Sequence, residues 1–355
     1  TNKGIEQLIP DYNLFDFGIY AFTQKIINKL TISGGVRFDN RNVNADNLLD
    51  GTTIKGNGFK KSFSNISGSI GLAAQVTKSI NLKFNIARGF RAPSIPELAS
   101  NGAHEGTIRY EYGNNDLKSE TSIQLDGGVE YSAEHISIGL SAFYNSFDNF
   151  IFYRKLEAAG GGDSLVNVNG DLLTAFKFDQ TKASLTGLEA TLDIHPHPLD
   201  WLHILNSFSI VSGQLRKPIE GNKFLPFIPA TRLATEFKGS FNNLTKNIHN
   251  FYVKFEVDNT FSKKNVFTVY NTETKTTGYT LLNAGIGADI VNKKNQTLFS
   301  LGFSAINIAD VAYQNHLSRL KYAQENLATG RNGVFNMGRN FSIKLNVPLN
   351  LTLGK

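Results

Sequence analysis

The sequence predicts an all-β protein: about thirteen strands of an antiparallel transmembrane β-barrel. Three observations predict it. Apolar and polar residues alternate strictly over segments of roughly 10–13 residues, about twice the ordinary strand. Short and long connections between those segments alternate along the chain. No apolar run approaches the ~18 residues of a membrane-spanning helix, whereas a tilted membrane-crossing strand needs only about 9–11.

The predicted strands are residues 14–26, 30–39, 62–76, 80–90, 120–131, 135–147, 182–194, 200–212, 229–240, 250–261, 279–290, 297–307 and 335–348. In the fifth, Ile123, Leu125, Val129 and Tyr131 share one face and Gln124, Asp126 and Glu130 the other. In the sixth, Ile136, Ile138, Leu140 and Tyr144 oppose Ser137, Ser141 and Asn145. The seventh sets Leu188, Ala190, Leu192 and Ile194 against Gly187, Glu189, Thr191 and Asp193, and the last sets Phe341, Ile343, Leu345 and Val347 against Ser342, Lys344 and Asn346. No segment reads as a long amphipathic helix.

The connections give the membrane orientation. Short ones fall near Ile27–Lys29, Thr77–Ser79, Ser132–Glu134, His195–Asp200, Asn242–Asn247 and Asn292–Asn295. Long ones fall near Asn40–Lys61, Arg91–Ser119, Asp148–Gln180, Gly213–Ile228, Ser262–Thr277 and Ala309–Val334. Short periplasmic turns and long outer loops are the arrangement of an outer-membrane barrel, with apolar residues facing lipid and polar ones the lumen. Trp201 and Tyr131 flank short turns, where an aromatic girdle belongs. In lipid every backbone N–H and C=O must pair within the protein, so the sheet must close. Thirteen is an odd count, whereas bacterial single-chain barrels have an even one. The first strand also runs from outside inward. The chain is therefore expected to be the C-terminal part of a longer barrel, cut within an outer loop.

Composition narrows the function classes. There is no Cys, which excludes disulfides and thiolate metal sites. The 36 Lys and Arg give a net charge of +6 but form no long run, which argues against nucleic acid and suits an acidic lipid surface such as lipopolysaccharide. The start "TNKGIEQLIP" has no signal-peptide character. No nucleophile elbow or HExxH motif is present, and no pair of acids stands apart, so the chain is expected to catalyse no reaction and to carry no prosthetic group.

Several segments carry a family resemblance. "ARGFRAPSIPEL" (87–98), "GNNDLKSETSIQLDGGVEY" (113–131), "SAFYNSFDNFIFYRKL" (141–156), "LTGLEATLDIHPHPLDWL" (185–202), "LPFIPATRL" (225–233), "TETKTTGYTLLNAGIG" (272–287) and "NMGRNFSIKLNV" (336–347) follow one another in order. Together the chain resembles the TonB-dependent outer-membrane receptors of Gram-negative bacteria. The resemblance implies a barrel of about 22 strands around a plug. It implies that the whole of 1–355 is part of that barrel domain, that the plug and the remaining strands lie outside it, and that import is driven by a TonB–ExbB–ExbD complex acting on the plug. One departure is the tail "LNLTLGK" after Pro348, where such barrels commonly end on an aromatic residue.

"NGAHEGTIRYEYGN" (101–114) and "AYQNHLSRLKY" (312–322) look like the zinc-uptake branch of the family, in which histidines stand at the places of His104 and His316. Zinc as cargo, with His104, Glu105 and His316 as metal ligands, is the first expectation; an iron–siderophore complex or haem is the second, and a passive pore or adhesin the third. Imidazole and carboxylate oxygen suit Zn²⁺ in a site without thiols. The positive charges beside His316 (Arg319 and Lys321) suit an anionic chelate better. Arg91, Arg109 and Tyr110 are the candidate substrate contacts. Arg88 and Arg91 are also placed to reach across the lumen to Asp126 or Glu130. "HPHP" (195–198) has H-x-H spacing but lies in a short turn between prolines and reads as a strand terminator. "GGGD" (160–163) reads as a flexible loop tip, and the glycines within strands as points of bending that leave lumen space.

Overall fold

A computed structural model describes residues 7–104 and 109–349. Every predicted strand is present. They are β1 (Tyr12–Ile27), β2 (Leu30–Ala45), β3 (Phe59–Gln75), β4 (Ile80–Arg91), β5 (Glu120–Ser132), β6 (Ile136–Lys155), β7 (Asp171–Ile194), β8 (Leu202–Ile219), β9 (Arg232–Asn243), β10 (Ile248–Thr260), β11 (Tyr279–Val291), β12 (Thr297–Ile306) and β13 (Asn340–Asn346). Each pairs antiparallel with the next in sequence, so the sheet is a meander. Among the described residues no pairing joins β1 to β13, and these two edge strands are exposed along their whole length.

The two faces differ as the alternation requires. Ile66, Ile70, Phe84, Ile86, Leu125, Val129, Leu140 and Phe255 stand exposed on one face. So large an apolar surface calls for a lipid covering rather than water. On the other face the polar side chains satisfy one another across strands. Lys83 donates to Glu130 at 2.5 Å, Asn85 to Asp126 at 3.1 Å, Lys254 to Glu236 at 2.9 Å and Asn283 to Glu256 at 2.7 Å. Trp201 stacks on Phe241 beside a short turn, with ring centroids 5.4 Å apart, as a girdle residue should.

Four strands run well past their predicted outer ends, into what the sequence reads as loops: β2 has 16 residues, β8 has 18, β6 has 20 and β7 has 24. A bulge between Phe147 and Phe150 shifts the β6–β7 register, after which that pair continues outward to Lys155 and Phe176. The last strand is shorter than predicted, because the backbone N–H groups of Asn336 and Arg339 bond instead to Tyr313 and Asp310 of the loop before it.

Parts of the long loops pack against the outer ends of the strands. In the 92–119 loop a short helix, α1 (Ile95–Ala99), is closed at its start by Glu97, whose carboxylate accepts from the Ser94 N–H at 2.7 Å. Ile95 and Leu98 are buried against Val43 of β2, Phe63 of β3 and Ile151 of β6. Burial of each such side chain is worth about 1.5–3 kcal/mol. A second core gathers Ala183, Leu215, Leu225, Phe267 and Val269.

Candidate functional site

The 92–119 loop also carries a hairpin, Asn101–His104 with Arg109–Tyr112, in which His104 stands opposite Arg109. Residues Arg109–Tyr112 pair in parallel with Thr174–Lys177 of β7. β8 pairs with β7 only up to Ala183, and the other edge of β7 is taken by β6 and by Leu165–Val168. The hairpin therefore fills the edge that β8 leaves. Backbone pairing, rather than side-chain affinity alone, fixes Arg109 in the mouth.

Arg109 is buried, and one of its amino groups bonds to the Glu111 carboxylate. Its guanidinium lies over the ring of Tyr153, 4.7 Å from the centroid, and 5.9 Å from that of Phe176. Arg319, from the last long loop, lies 4.9 Å from the same Tyr153 ring and 5.3 Å from Phe227. Tyr153 stacks on Phe227 at 5.4 Å. Nε and Nη1 of Arg109 and the hydroxyl of Tyr153 are buried without a hydrogen-bond partner. Buried donors of this kind are rare and costly, and an oxyanion would satisfy them. Among the described residues Arg319 forms no ion pair. The arrangement is an arginine and aromatic cluster suited to a planar anion.

The other predicted site residues divide. Tyr110 is buried, and its hydroxyl donates to Asn101 Oδ1 at 2.8 Å. Burial first, then the neighbouring Tyr112 and Asp50, push its phenol up to about 12. Tyr110 thus packs the hairpin. Arg91 is bonded to Glu97 at 2.7 Å and Glu120 at 3.3 Å, both at the outer end of its strand. The cross-lumen reach to Asp126 and Glu130 is not made by arginine: Lys83 and Asn85 make it, and Arg88 instead donates to the Ile66 carbonyl.

His104 lies 3.0 Å through Nδ1 from Glu111, a residue the sequence reading passed over. Glu105 lies outside the described residues. His316 is buried, with Nδ1 2.8 Å from Thr276 Oγ1 and Nε2 3.4 Å from Glu273. The Lys321 ammonium stands 3.4 Å from the same Nδ1. Glu273 also accepts from the N–H groups of Phe227 and Phe267, so this network ties loops together. His104 and His316 thus address different carboxylates. Among the described residues neither joins a third His, Asp or Glu ligand within 4.8 Å.

At the opposite end, the H-x-H pair is not a pair. His195 turns to Asp193 at 2.9 Å and its ring lies 4.2 Å from that of His203, whereas His197 lies 3.5 Å from Asp200.

Comparison with known proteins agrees with the architecture. The family described as TonB dependent receptor-like, beta-barrel matches residues 3–308. The ferric enterobactin receptor of Pseudomonas aeruginosa is 32% identical over 144 residues, 37% of this chain and 18% of that receptor. The ferrienterobactin receptor of Escherichia coli K12 is 30% identical over 190 residues, 50% of this chain and 22% of that one. The TonB-dependent heme receptor A of Haemophilus ducreyi is 27% identical over 166 residues, 46% of this chain and 22% of that one. Among solved structures, the copper transporter OprC superposes with a TM-score of 0.74 at 16% identity, over 95% of this chain and 48% of that one. The chain thus spans about half the length of the solved structure and less of the curated relatives.

Proposed function

This chain belongs to the TonB-dependent receptor β-barrel family of the Gram-negative outer membrane, and on that premise we propose that it serves in uptake of an anionic iron complex of the siderophore or haem class. The carrying observation is the Arg109–Tyr153–Arg319 cluster at the outer mouth, with buried donors that lack acceptors. Ferric catecholates are planar-ringed anions, and arginine stacked on an aromatic ring meets both the charge and the ring. Two relatives at 30% identity or above are named as enterobactin receptors, which supports the same class.

In this reading the ligand lands on the long loops at the outer end. Arg109 and Arg319 hold its oxygens, and Tyr153 and Phe227 its rings. Further strands pair with the open edges of β1 and β13, and a plug fills the lumen. Force from a TonB–ExbB–ExbD complex on that plug opens the way inward. The polar lumen ladder, with charges already paired, offers a wet wall without a deep trap.

Zinc is the second reading, resting on His104 beside Glu111. It is the weaker one, because the Lys321 ammonium faces His316 and repels a cation.

The test is equilibrium binding to the full-length receptor in detergent, with a ferric tricatecholate, haemin and Zn²⁺ as separate probes. Arg319→Gln is the preferred variant because the side chain is exposed and makes no ion pair among the described residues. Affinity for one of the two iron probes is expected to fall roughly 10- to 100-fold, the worth of one charged hydrogen bond. Binding of Zn²⁺ alone, lost in His104→Gln and unchanged in Arg319→Gln, would overturn the proposal.

A further inference from the structure

We propose that Asp193, His195 and His203 form a binding site for a divalent transition-metal ion, of the imidazole-preferring class that includes Zn²⁺, at the short-turn end of the barrel. The site follows from strand register. Asp193 pairs with Leu205 and Ile194 with Ile204, so continuing the ladder around the turn sets His195 opposite His203. Asp193 and His195 are two residues apart and share a face. That face is the polar, lumen side, with Glu189 and Thr191.

The donor atoms are already gathered. One atom from each of the three residues lies within 4.8 Å of the others. His195 Nε2 is 2.9 Å from Asp193 Oδ2, and the His195 and His203 rings are 4.2 Å apart. A tetrahedral ion with bonds of about 2.0–2.1 Å would hold donors ~3.4 Å apart, within reach of small rotations of the side chains. Two imidazoles and a carboxylate leave a fourth position for water, a set suited to Zn²⁺. His135 stands on the other flank: the β6–β7 register places it opposite His195, whose backbone N–H donates to the His135 carbonyl at 2.8 Å.

A simple turn clamp accounts for less. An Asp–His hydrogen bond would tie the end of β7 to itself, but it gives no reason for His203 to face the pair. It also leaves Asp193 Oδ1 buried without a hydrogen-bond partner. An ion shared by the three residues satisfies that oxygen and cross-links β7 to β8. The site is far from the outer mouth in topology, at the opposite ends of the same strands, and it stands whatever cargo the mouth selects.

The test is Zn²⁺ titration of the full-length receptor by calorimetry, with Co²⁺ absorption as a second readout of a tetrahedral nitrogen and oxygen site. One equivalent is expected to bind. His203→Gln and Asp193→Asn should each weaken it at least as much as the roughly 10- to 100-fold that loss of an outer-shell partner causes. His104→Gln and His316→Gln should leave it unchanged, and the urea midpoint of each variant without metal checks the fold. Absence of Zn²⁺ binding in the parent protein would overturn the proposal. So would Zn²⁺ binding and a Co²⁺ spectrum that survive His203→Gln, or binding lost only with the outer histidines.

Discussion

The two ends of the barrel are built by different rules. At the outer mouth, Tyr153 and Phe176 lie on the paired extensions of β6 and β7, and Arg109, Phe227 and Arg319 reach them from three separate long loops. At the short-turn end, Asp193, His195 and His203 meet because two neighbouring strands are in register. The mouth is therefore a tertiary structure whose cores are shared between loop residues and the outer ends of the strands. The short-turn cluster is part of the wall.

The largest effect should come from removing a loop core. Phe267 is wholly buried among Ala183, Leu215, Leu225 and Val269, and meets Phe152 edge-on at 6.5 Å. Phe267→Ala is expected to cost about 3–5 kcal/mol, and to place that cost in the mouth. Hydrogen exchange should show the 220–231 and 261–278 loops losing protection while β7 and β8 near His195 and His203 keep theirs. Affinity for an anionic iron complex should fall with it, since Phe227 and Arg319 lose their support. Uniform loss of protection down to the short turns would mean that mouth and wall unfold as one unit.

A smaller effect on the wall should leave the mouth alone. The face of β7 at Gly187 is covered by the ring of Phe143 on β6, and an added Cβ would collide with that ring. The glycine thus makes room for a side chain, a more specific role than the bending expected from the sequence. Gly187→Ala should cost about 1–3 kcal/mol, and Phe143→Leu in the same chain should restore part of it. Thermal unfolding in detergent measures both. An unchanged midpoint would show that Phe143 moves aside freely and that the wall is looser than its register suggests.

These two sites also mark what the sequence made legible. All thirteen strands could be read, because each must hide one face in lipid and wet the other, and that demand writes a period of two. The extension of β6 and β7 could not be read. There the strands leave the membrane, a bulge breaks the period at Phe147, and the new edge is covered by a hairpin rather than lipid. Arg109 was visible as a loop cation, but its meeting with Tyr153 and Arg319 depends on loop folding and leaves no local pattern. Glu111, which holds both Arg109 and His104, was missed for the same reason. His203 was missed although its signal was present. Residues equally spaced about a tight strand connection face each other, and the prolines of "HPHP" drew the reading toward the pair within one segment instead.

The smallest effect lies in the hairpin that joins loop to wall. Tyr110 contributes one hydrogen bond, from its hydroxyl to Asn101, so Tyr110→Phe should cost only about 0.5–1.5 kcal/mol. Its pH dependence is more telling. The phenol is raised from 10.0 to about 12 in the folded protein, so the folded state binds the proton more tightly than the unfolded one. The stability it contributes is fully present below about pH 10 and is lost as pH rises through about 12. Hydrogen exchange of residues 101–104 and 109–112, followed alongside phenolate absorbance, should therefore loosen across that window in the parent and not in Tyr110→Phe. Because the hairpin's other edge pairs with Thr174–Lys177, the loosening should reach the outer end of β7 and stop before the segment paired with β8 begins at Ala183. Loosening that ran on to Ile194 would make β7 a single unit that couples the anion cluster at one end to the histidine cluster at the other.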